Sequence, residues 1–435
     1  MESLDRWVDR QYRRAAEYML LSVSPVGLSK SRPGFGQTIR PARGAIVASP
    51  VLASYDPDPD YFFHWYRDSA VVLDALRVLY DDGTVGDEAL AHVGDFVRFS
   101  LALAALDGRA LAASANWRGA VSADFEKFLR SDEELSQVHG HAVAADTRVN
   151  PDGTLDISRW ARPQHDGPAL RALALLRWMK HAVNDRDLEH ALDQLIGADL
   201  AFVLSHGSRS CYDIWEEERG LHFYTLLVSR AALDSGSRWL ESKNVKPEAA
   251  ACRAGADRIA AMLPDYWSEA GYYRSRVLDG APRSSKELDI AVILAALHAG
   301  PEGGGTVDDE RMHATLAQLE ALFEREYPIN QNRAAHLGPA LGRYSGDVYY
   351  SGGAYYFATL AGAEFCFRAA STRGRDPFLR RGDAYLETVR AYTPESGELS
   401  EQFDRRTGAQ TSARHLAWSY AAFITCIAAR RAVEG

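Results

Sequence analysis

Five loop segments of this sequence combine aromatic rings with arginines and carboxylates. They are DYFFHWYRD (60–68), SRWARPQHDG (158–167), CYDIWEEERG (211–220), GRYSGDVYYSGG (342–353) and SGELSEQFDRRTG (396–408). An aromatic face can stack on the C–H face of a sugar, while an arginine fork and a carboxylate bind neighbouring hydroxyls. Two carboxyls from different loops can flank a glycosidic bond, one as acid and one as base. A structural salt-bridge network is the alternative interpretation.

Helical periodicity predicts the elements that position these loops, and strand-like runs such as GAIVASPV (44–51) are few and short. We therefore predict an all-α chain. No linker and no break in composition divides it, which indicates one closed array of helices. Each of the five segments directly precedes a helix, so in a closed array of paired helices they would line one mouth. The predicted helices are 4–23, 68–81, 88–106, 168–183, 187–206, 222–243, 246–263, 287–299, 310–327, 352–371, 376–391 and 412–432.

Local signals place some of the helix starts. Asp166 and Pro168 precede one apolar run, and Thr411 or Ser412 precedes the last one. Asp68 follows the first aromatic cluster and is a candidate cap of the next helix.

The bulk composition excludes several classes of partner. The net charge is -10 and no long basic run occurs, so nucleic acid and anionic membranes are not expected partners.

Residues 4–23 read as an amphipathic helix rather than a signal peptide, and no stretch approaches the roughly 18 apolar residues of a membrane span. We expect a cytoplasmic protein. Its four cysteines lie far apart in apolar patterns and are expected to be reduced core thiols.

Together the segments resemble the signatures of the glucoamylase family, glycoside hydrolase family 15. They are GAIVASP followed by DPDYFFHWYRDSAVV, then WARPQHDGPALRA, YDIWEEERGLHFYT, GRYSGDVYYSGG and LSEQFDRRTGAQTSARHLAWSYAA, in the family's order over essentially the whole chain. The resemblance implies a single (α/α)6 barrel catalytic domain over residues 1–435. We expect no carbohydrate-binding module. The resemblance also implies exo-acting, inverting hydrolysis that releases β-D-glucose from α-gluco-oligosaccharides, with no cofactor.

The resemblance assigns roles to individual residues. Glu216 matches the general acid and Glu401 the general base, with Ser412 or Tyr61 beside it. The alternative for Glu216 is a solvated acidic helix start, and for Trp418 it is packing in a helical core. The substrate-binding residues implied by the resemblance are Tyr61, Trp65, Arg67, Asp68, Trp160, Arg162, Trp215, Glu217, Arg343, Asp347, Tyr349 and Trp418.

Departures from the fungal members of the family leave the cleaved linkage open. Most of them are expected on the leaving-group side of the pocket: they are Arg159, Ser345, Gly346, Tyr355, His64 and Tyr66. An α-1,4-linked malto-oligosaccharide is the favoured substrate. An α-1,6-linked isomalto-oligosaccharide, dextran and trehalose are the alternatives within the family.

Two other classes of protein stay open at this point. A non-catalytic glucan-binding protein could keep the pocket, although retention of both glutamates argues against it. An epimerase or lyase on the same fold would need a histidine or tyrosine base. His139 and His141 have no third ligand at a useful spacing, so we expect no metal site. The sequence does not indicate an oligomeric state.

Overall fold

The computed structural model describes residues 2–54, 57–114, 117–181, 185–281, 283–304 and 306–434. Helices dominate these residues. They are α1 (Leu4–Leu20), α2 (Tyr66–Asp81), α3 (Glu88–Leu103), α4 (Gly108–Ala113), α5 (Asp132–Ser136), α6 (Asp166–Trp178), α7 (Arg186–His206), α8 (Phe223–Ser242), α9 (Lys246–Met262), α10 (Ala291–Ala299), α11 (Glu310–Glu326), α12 (Pro328–Gln331), α13 (Tyr356–Arg373), α14 (Arg375–Tyr392) and α15 (Ala417–Glu434).

The long helices alternate along the chain between an outer and an inner ring. The inner ring is α2, α6, α8, α10, α13 and α15; each packs against the next, and α15 packs against α2 to close the circle. The outer ring is α1, α3, α7, α9, α11 and α14. Six helices inside six others form an (α/α)6 barrel, so the predicted fold class is confirmed. Among the described helices, none is long and apolar enough to cross a membrane.

The two rings differ in how their helices are buried. The outer helix α1 buries a stripe that includes Trp7, Tyr12, Ala15 and Met19, with polar residues between them. The inner helices α10 and α13 are buried on nearly all faces. A helix with one apolar stripe covers a core, whereas one that is apolar all round must lie inside it. The sequence pattern therefore distinguishes the rings.

Short strands join the loops at the mouth of the barrel rather than forming a layer of their own. β3 (His64–Trp65) pairs with β4 (Arg148–Val149), β5 (Cys211–Tyr212) and β7 (Arg276–Leu278) flank β6 (Arg219–His222), and β8 (Ala354–Tyr355) and β10 (Gln410–Thr411) flank β9 (Gln402–Phe403). Farther out, β1 (Lys30–Arg32) pairs with β2 (Gln37–Ile39). The strand-like run 44–51 forms only an isolated bridge from Ile46 to Val23.

Several predicted helix ends are corrected. α15 begins at Ala417, not near 412, because Thr411 ends β10 and Ser412 takes a left-handed backbone with φ 64°. Asp68 lies in the first turn of α2, whose N-cap is Trp65. α6 begins at Asp166, and the last two residues of its predicted range, 182–183, lie outside the described residues. All four cysteines are buried and unbonded, as predicted.

Gly167 marks a point where two inner helices touch. A Cβ at this glycine would lie 2.6 Å from the Cβ of Tyr66 at the start of α2. We expect Gly167→Ala to lower the free energy of unfolding by about 1–2 kcal/mol because the contact must open. Gly197→Ala on outer helix α7 is the control: nothing lies within 4 Å of its added Cβ. Alanine there should stabilise by about 0.5–1 kcal/mol, and urea unfolding of both variants measures the difference.

Candidate active site

A pocket of about 290 Å³ opens where the inner helices begin. All five loop segments singled out in the sequence contribute to its wall. The lining residues are Ala48, Tyr61, Trp65, Arg67, Asp68, Trp160, Ala161, Ile214, Trp215, Glu216, Glu217, Arg343, Tyr349, Phe357, Glu401, Leu416 and Trp418. Five of the six outer-to-inner connections thus contribute side chains to a single cavity.

Glu216 lies in the loop before α8, and three N–H groups contact its carboxylate. The Trp65 indole donates to Oε1 at 2.8 Å, and Arg67 Nη2 donates to the same oxygen at 3.2 Å. Trp160 donates its indole N–H to Oε2 from the rim, where the residue is 40% exposed. These contacts hold the carboxyl at the pocket wall and do not place it in solvent, contrary to the alternative interpretation.

The backbone around Glu216 is held in an uncommon conformation. Its φ is 66°, which a residue with a side chain rarely adopts. Asp213 fixes this turn: its backbone carbonyl accepts the Glu216 N–H at 3.0 Å, and its Oδ1 accepts the N–H groups of Glu217 and Glu218 at 2.7 and 3.1 Å. Arg276 in turn contacts Asp213 Oδ2 at 2.8 Å. Such strain concentrates at functional sites.

Glu401 lies across the pocket, in the loop before α15. The Ser412 hydroxyl donates to its Oε2, and Tyr61 Oη lies 3.3 and 3.4 Å from the two carboxylate oxygens. Tyr61 also shares a 2.8 Å hydrogen bond with Tyr349. Burial raises the pKa of Glu401 from 4.5 to about 7, although the Ser412 hydrogen bond and the positive charge of Arg343 oppose the shift. The carboxyl therefore titrates near neutral pH.

Arg67 and Asp68 form an ionic cluster beside Glu216. Arg67 donates to Gln164 at 3.0 Å and to Asp166 at 3.2 Å, and its Nε lies 3.6 Å from Asp68 Oδ2. Burial raises the pKa of Asp68 to about 6, against the charge of Arg67. Asp68 Oδ2 has no hydrogen-bond partner within the described part of the chain.

Arg343 and Glu217 form the opposite wall. Arg343 makes a two-pronged contact with Asp347 at 2.7 and 2.6 Å, and its Nη2 also donates to Glu217 at 3.1 Å. The Tyr344 hydroxyl and Lys286 Nζ reach Glu217 as well, the latter at 2.6 Å. Asp347 does not line the pocket, although the sequence predicted it as a substrate contact. It orients Arg343 from behind.

Arg162 also lies behind the wall rather than in it. Its guanidinium contacts Asp146 and Asp156, each at 2.8 Å, in a buried network. Arg148, which the sequence analysis missed, joins this network through Asp156 at 2.9 Å. It also packs over the Trp160 ring at 3.5 Å. Nothing in its sequence neighbourhood marks Arg148, because only the pairing of β3 with β4 brings it to the pocket aromatics.

The inner end of the pocket is aromatic and closed. Trp418 stacks on Phe357 with ring centres 4.5 Å apart, and Trp215 stacks on the same phenylalanine at 6.1 Å. Trp418 therefore both packs in the core and lines the cavity. Phe357 is a second lining residue that sequence reasoning missed, since it reads as an ordinary core position of α13. No cluster of three His, Cys, Asp or Glu able to hold a metal occurs among the described residues.

Three departures from the fungal pattern lie close to the pocket without lining it. Tyr355 accepts a 2.8 Å hydrogen bond from Gln402 and donates to Asp347 at 3.3 Å. His64 is buried, and its Nδ1 accepts the Ile46 N–H at 3.0 Å. Tyr66 contributes no side-chain atom to the pocket lining.

Comparison with known proteins gives a consistent result. The model of the family "Glycosyl hydrolases family 15" matches residues 33–102, 146–379 and 373–428. The chain is 29% identical to the glucoamylase of Neurospora crassa, over 99% of this chain and 69% of that protein. It is 26% identical to the probable glucoamylase of Schizosaccharomyces pombe, over 100% of this chain and 93% of that protein.

A solved structure supports the same relationship at the level of the fold. The Hypocrea jecorina glucoamylase superposes with a TM-score of 0.79 at 23% identity, covering 99% of this chain and 73% of the other. The family model spans far more than half of the sequence, and the barrel and the loop-lined pocket are those that the resemblance implied. The chain therefore belongs to glycosyl hydrolases family 15 and is a glucoamylase-like glycoside hydrolase.

Proposed function

We propose that this glycoside hydrolase releases β-D-glucose from the non-reducing ends of α-1,4-linked malto-oligosaccharides, with inversion of configuration. The observation that carries the proposal is the placement of Glu216 and Glu401 on separate loops of one pocket. An inverting hydrolase needs an acid on one side of the scissile bond and a base with room for a water on the other. The curated relatives named glucoamylase and probable glucoamylase support the choice of substrate.

The shape of the pocket supports attack at chain ends. Its volume of about 290 Å³ is at the low end of small-molecule sites, which run from roughly 300 to 1,000 Å³. Trp418 and Phe357 close the inner end, so a long glucan cannot pass through. Only a terminal sugar would enter, with the bond to the next sugar near the rim.

Each wall has a proposed task. Glu216 is the general acid that protonates the leaving oxygen, and Glu401 is the general base that takes a proton from water. Arg67 and Asp68 line the pocket and bind hydroxyls of the terminal glucose, because a guanidinium donates and a carboxylate accepts. Tyr61, Trp65, Trp215, Tyr349 and Trp418 would pack against the sugar, and Glu217 and Arg343 would contact the leaving sugar together with Trp160.

The linkage and stereochemistry can be tested in one experiment. We expect the purified protein to cleave maltose and maltotriose faster than isomaltose, isomaltotriose and trehalose. Proton NMR of the anomeric signals, recorded before mutarotation, should show β-glucose as the first product. Initial α-glucose would contradict the inverting mechanism.

The remaining outcomes distinguish the alternatives. Fastest cleavage of isomaltose would replace the α-1,4 assignment with an α-1,6 assignment and leave the mechanism intact. If the wild type and Glu401→Gln released glucose equally slowly from every substrate, a glucan-binding protein would be the better description.

A further inference from the structure

The connection from α9 to α10 lies behind the loop that carries Glu216. We call residues 213–218 the acid loop. Arg276, in this connection, contacts Asp213 at 2.8 Å and Glu218 at 2.9 Å, so it holds both ends of the acid loop. None of the connection's described residues lines the active-site pocket, whereas each of the other five outer-to-inner connections does. The connection therefore acts on the pocket through the residues that it holds.

One side chain of this connection, Lys286, contacts a carboxylate that the pocket exposes. Its Nζ lies 2.6 Å from Oε2 of Glu217, which lines the pocket. The two side chains are 23% and 27% exposed. An ion pair this accessible contributes little to stability. Its consequence is the place in which it holds the Glu217 carboxylate.

The acceptor sites of Glu217 are largely filled by three donors. Arg343 Nη2 donates to Oε1 at 3.1 Å, and the Tyr344 hydroxyl lies 2.8 Å from Oε1 and 2.5 Å from Oε2. Lys286 supplies the third donor, to Oε2. A carboxylate has about four lone-pair sites, so these donors leave about one for a ligand and set the direction in which it points.

The exposures of the pocket carboxylates place Glu217 on the leaving-group side. Its side chain is 27% exposed, against 11% for Glu216 and 10% for Asp68. Glu217 thus lies nearer the rim than the proposed acid, which must lie at the bond that is broken. A group on the rim side of that bond faces the leaving sugar rather than the terminal glucose.

We propose that Lys286 is a positioning residue for the leaving sugar, a role that rests on the proposed function because it needs a substrate whose leaving group is a sugar. By holding Oε2 of Glu217, the lysine fixes the acceptor that a hydroxyl of that sugar meets. Without the lysine, the carboxylate is held from one side only and can turn away from the sugar. Lys286 has no contact with the proposed acid, so chemistry at the terminal glucose does not depend on it.

Lys286→Met tests this role, because methionine keeps an unbranched side chain and loses the charge and the donors. The value of kcat/KM is measured on maltose, whose leaving group is a sugar, and on α-D-glucosyl fluoride, whose leaving group is not. We expect about a tenfold loss on maltose, since a misplaced contact weakens transition-state binding, and less than about a twofold change on the fluoride.

Lys243→Met is the matched control. Lys243 also pairs with a carboxylate, that of Asp193, and its side chain is 29% exposed, but it lies at the end of α8 far from the acid loop. Both rates should stay at the wild-type values. Urea unfolding of each variant verifies that it folds, because neither exposed pair contributes much to stability.

A double-mutant cycle tests whether Lys286 acts through Glu217. In a Glu217→Gln background, Lys286→Met should lower the maltose rate by less than about a further twofold. Additive losses, an unchanged maltose rate in Lys286→Met, or equal losses on maltose and the fluoride would overturn the proposal. If the wild type cleaved another disaccharide and not maltose, the proposed function would fail, and the same comparison on that disaccharide would still test Lys286. Cleavage of no disaccharide would overturn both.

Discussion

We expect Glu216→Gln and Glu401→Gln each to lower kcat on maltose by at least about 100-fold, the scale of general acid–base catalysis. Each change keeps the size of the side chain, but the amide can neither give a proton as the acid does nor accept one as the base does. The Trp65 indole N–H can still donate to the amide oxygen at position 216, and the Ser412 hydroxyl can do so at position 401, so the pocket should keep its shape.

α-D-Glucosyl fluoride separates the two roles. Fluoride leaves without being protonated, so Glu216→Gln should recover most of its lost rate on this substrate, whereas Glu401→Gln should not. Glu218→Gln is the control: Glu218 lies two residues after Glu216 but its carboxylate contacts Arg276 at 2.9 Å, outside the pocket lining. An unchanged maltose rate in either active-site variant would remove that residue from its proposed role. Equal recovery of both variants on the fluoride would contradict the division into acid and base.

The barrel was predictable from the sequence because its physical cause is local. Every long helix of the two rings falls within or near a range predicted from apolar periodicity. An inner helix such as α13 is apolar on nearly all faces, so its own sequence indicates that it is buried. The start of α15 was wrong for a reason that is not local. Ser412 takes a left-handed backbone after β10 and bonds Glu401, so the polar residue that resembles a helix cap belongs to the site.

The candidate site was predictable as a set of loops, but side-chain direction was not. Trp160 and Arg162 are two residues apart, yet the first lines the pocket and the second lies in the Asp146–Asp156 network. Asp347 likewise contacts Arg343 from behind. Arg148 was missed because its place depends on a strand pairing between distant segments. Residue type and spacing identify which loop takes part, while the packing of the whole mouth decides which side chain reaches the cavity.

Burial of Glu401 in this mouth makes ionisation of its carboxyl cost free energy in the folded protein. Burial raises the pKa of Glu401 from 4.5 to about 7, with Ser412, Arg343 and Tyr61 opposing the shift and Asp68 adding to it. The folded protein then holds a proton that the unfolded chain has already lost at intermediate pH. The contribution of this group to stability is present in full below about pH 4.5 and is lost as the pH rises to about 7. A shift of this size corresponds to about 3 kcal/mol.

Glu401→Gln cannot ionise, so it should escape this loss. Relative to the wild type, we expect its free energy of unfolding to gain about 3 kcal/mol between about pH 4 and about pH 8. Urea unfolding at the two pH values measures the gain. The same ionisation should set the acid limb of kcat/KM for the wild type, which falls as Glu401 becomes protonated below about pH 7. The raised pKa would be contradicted if Glu401→Gln lost activity but its free energy of unfolding changed with pH as that of the wild type does. Glu401 would then ionise alike in the folded and unfolded chains.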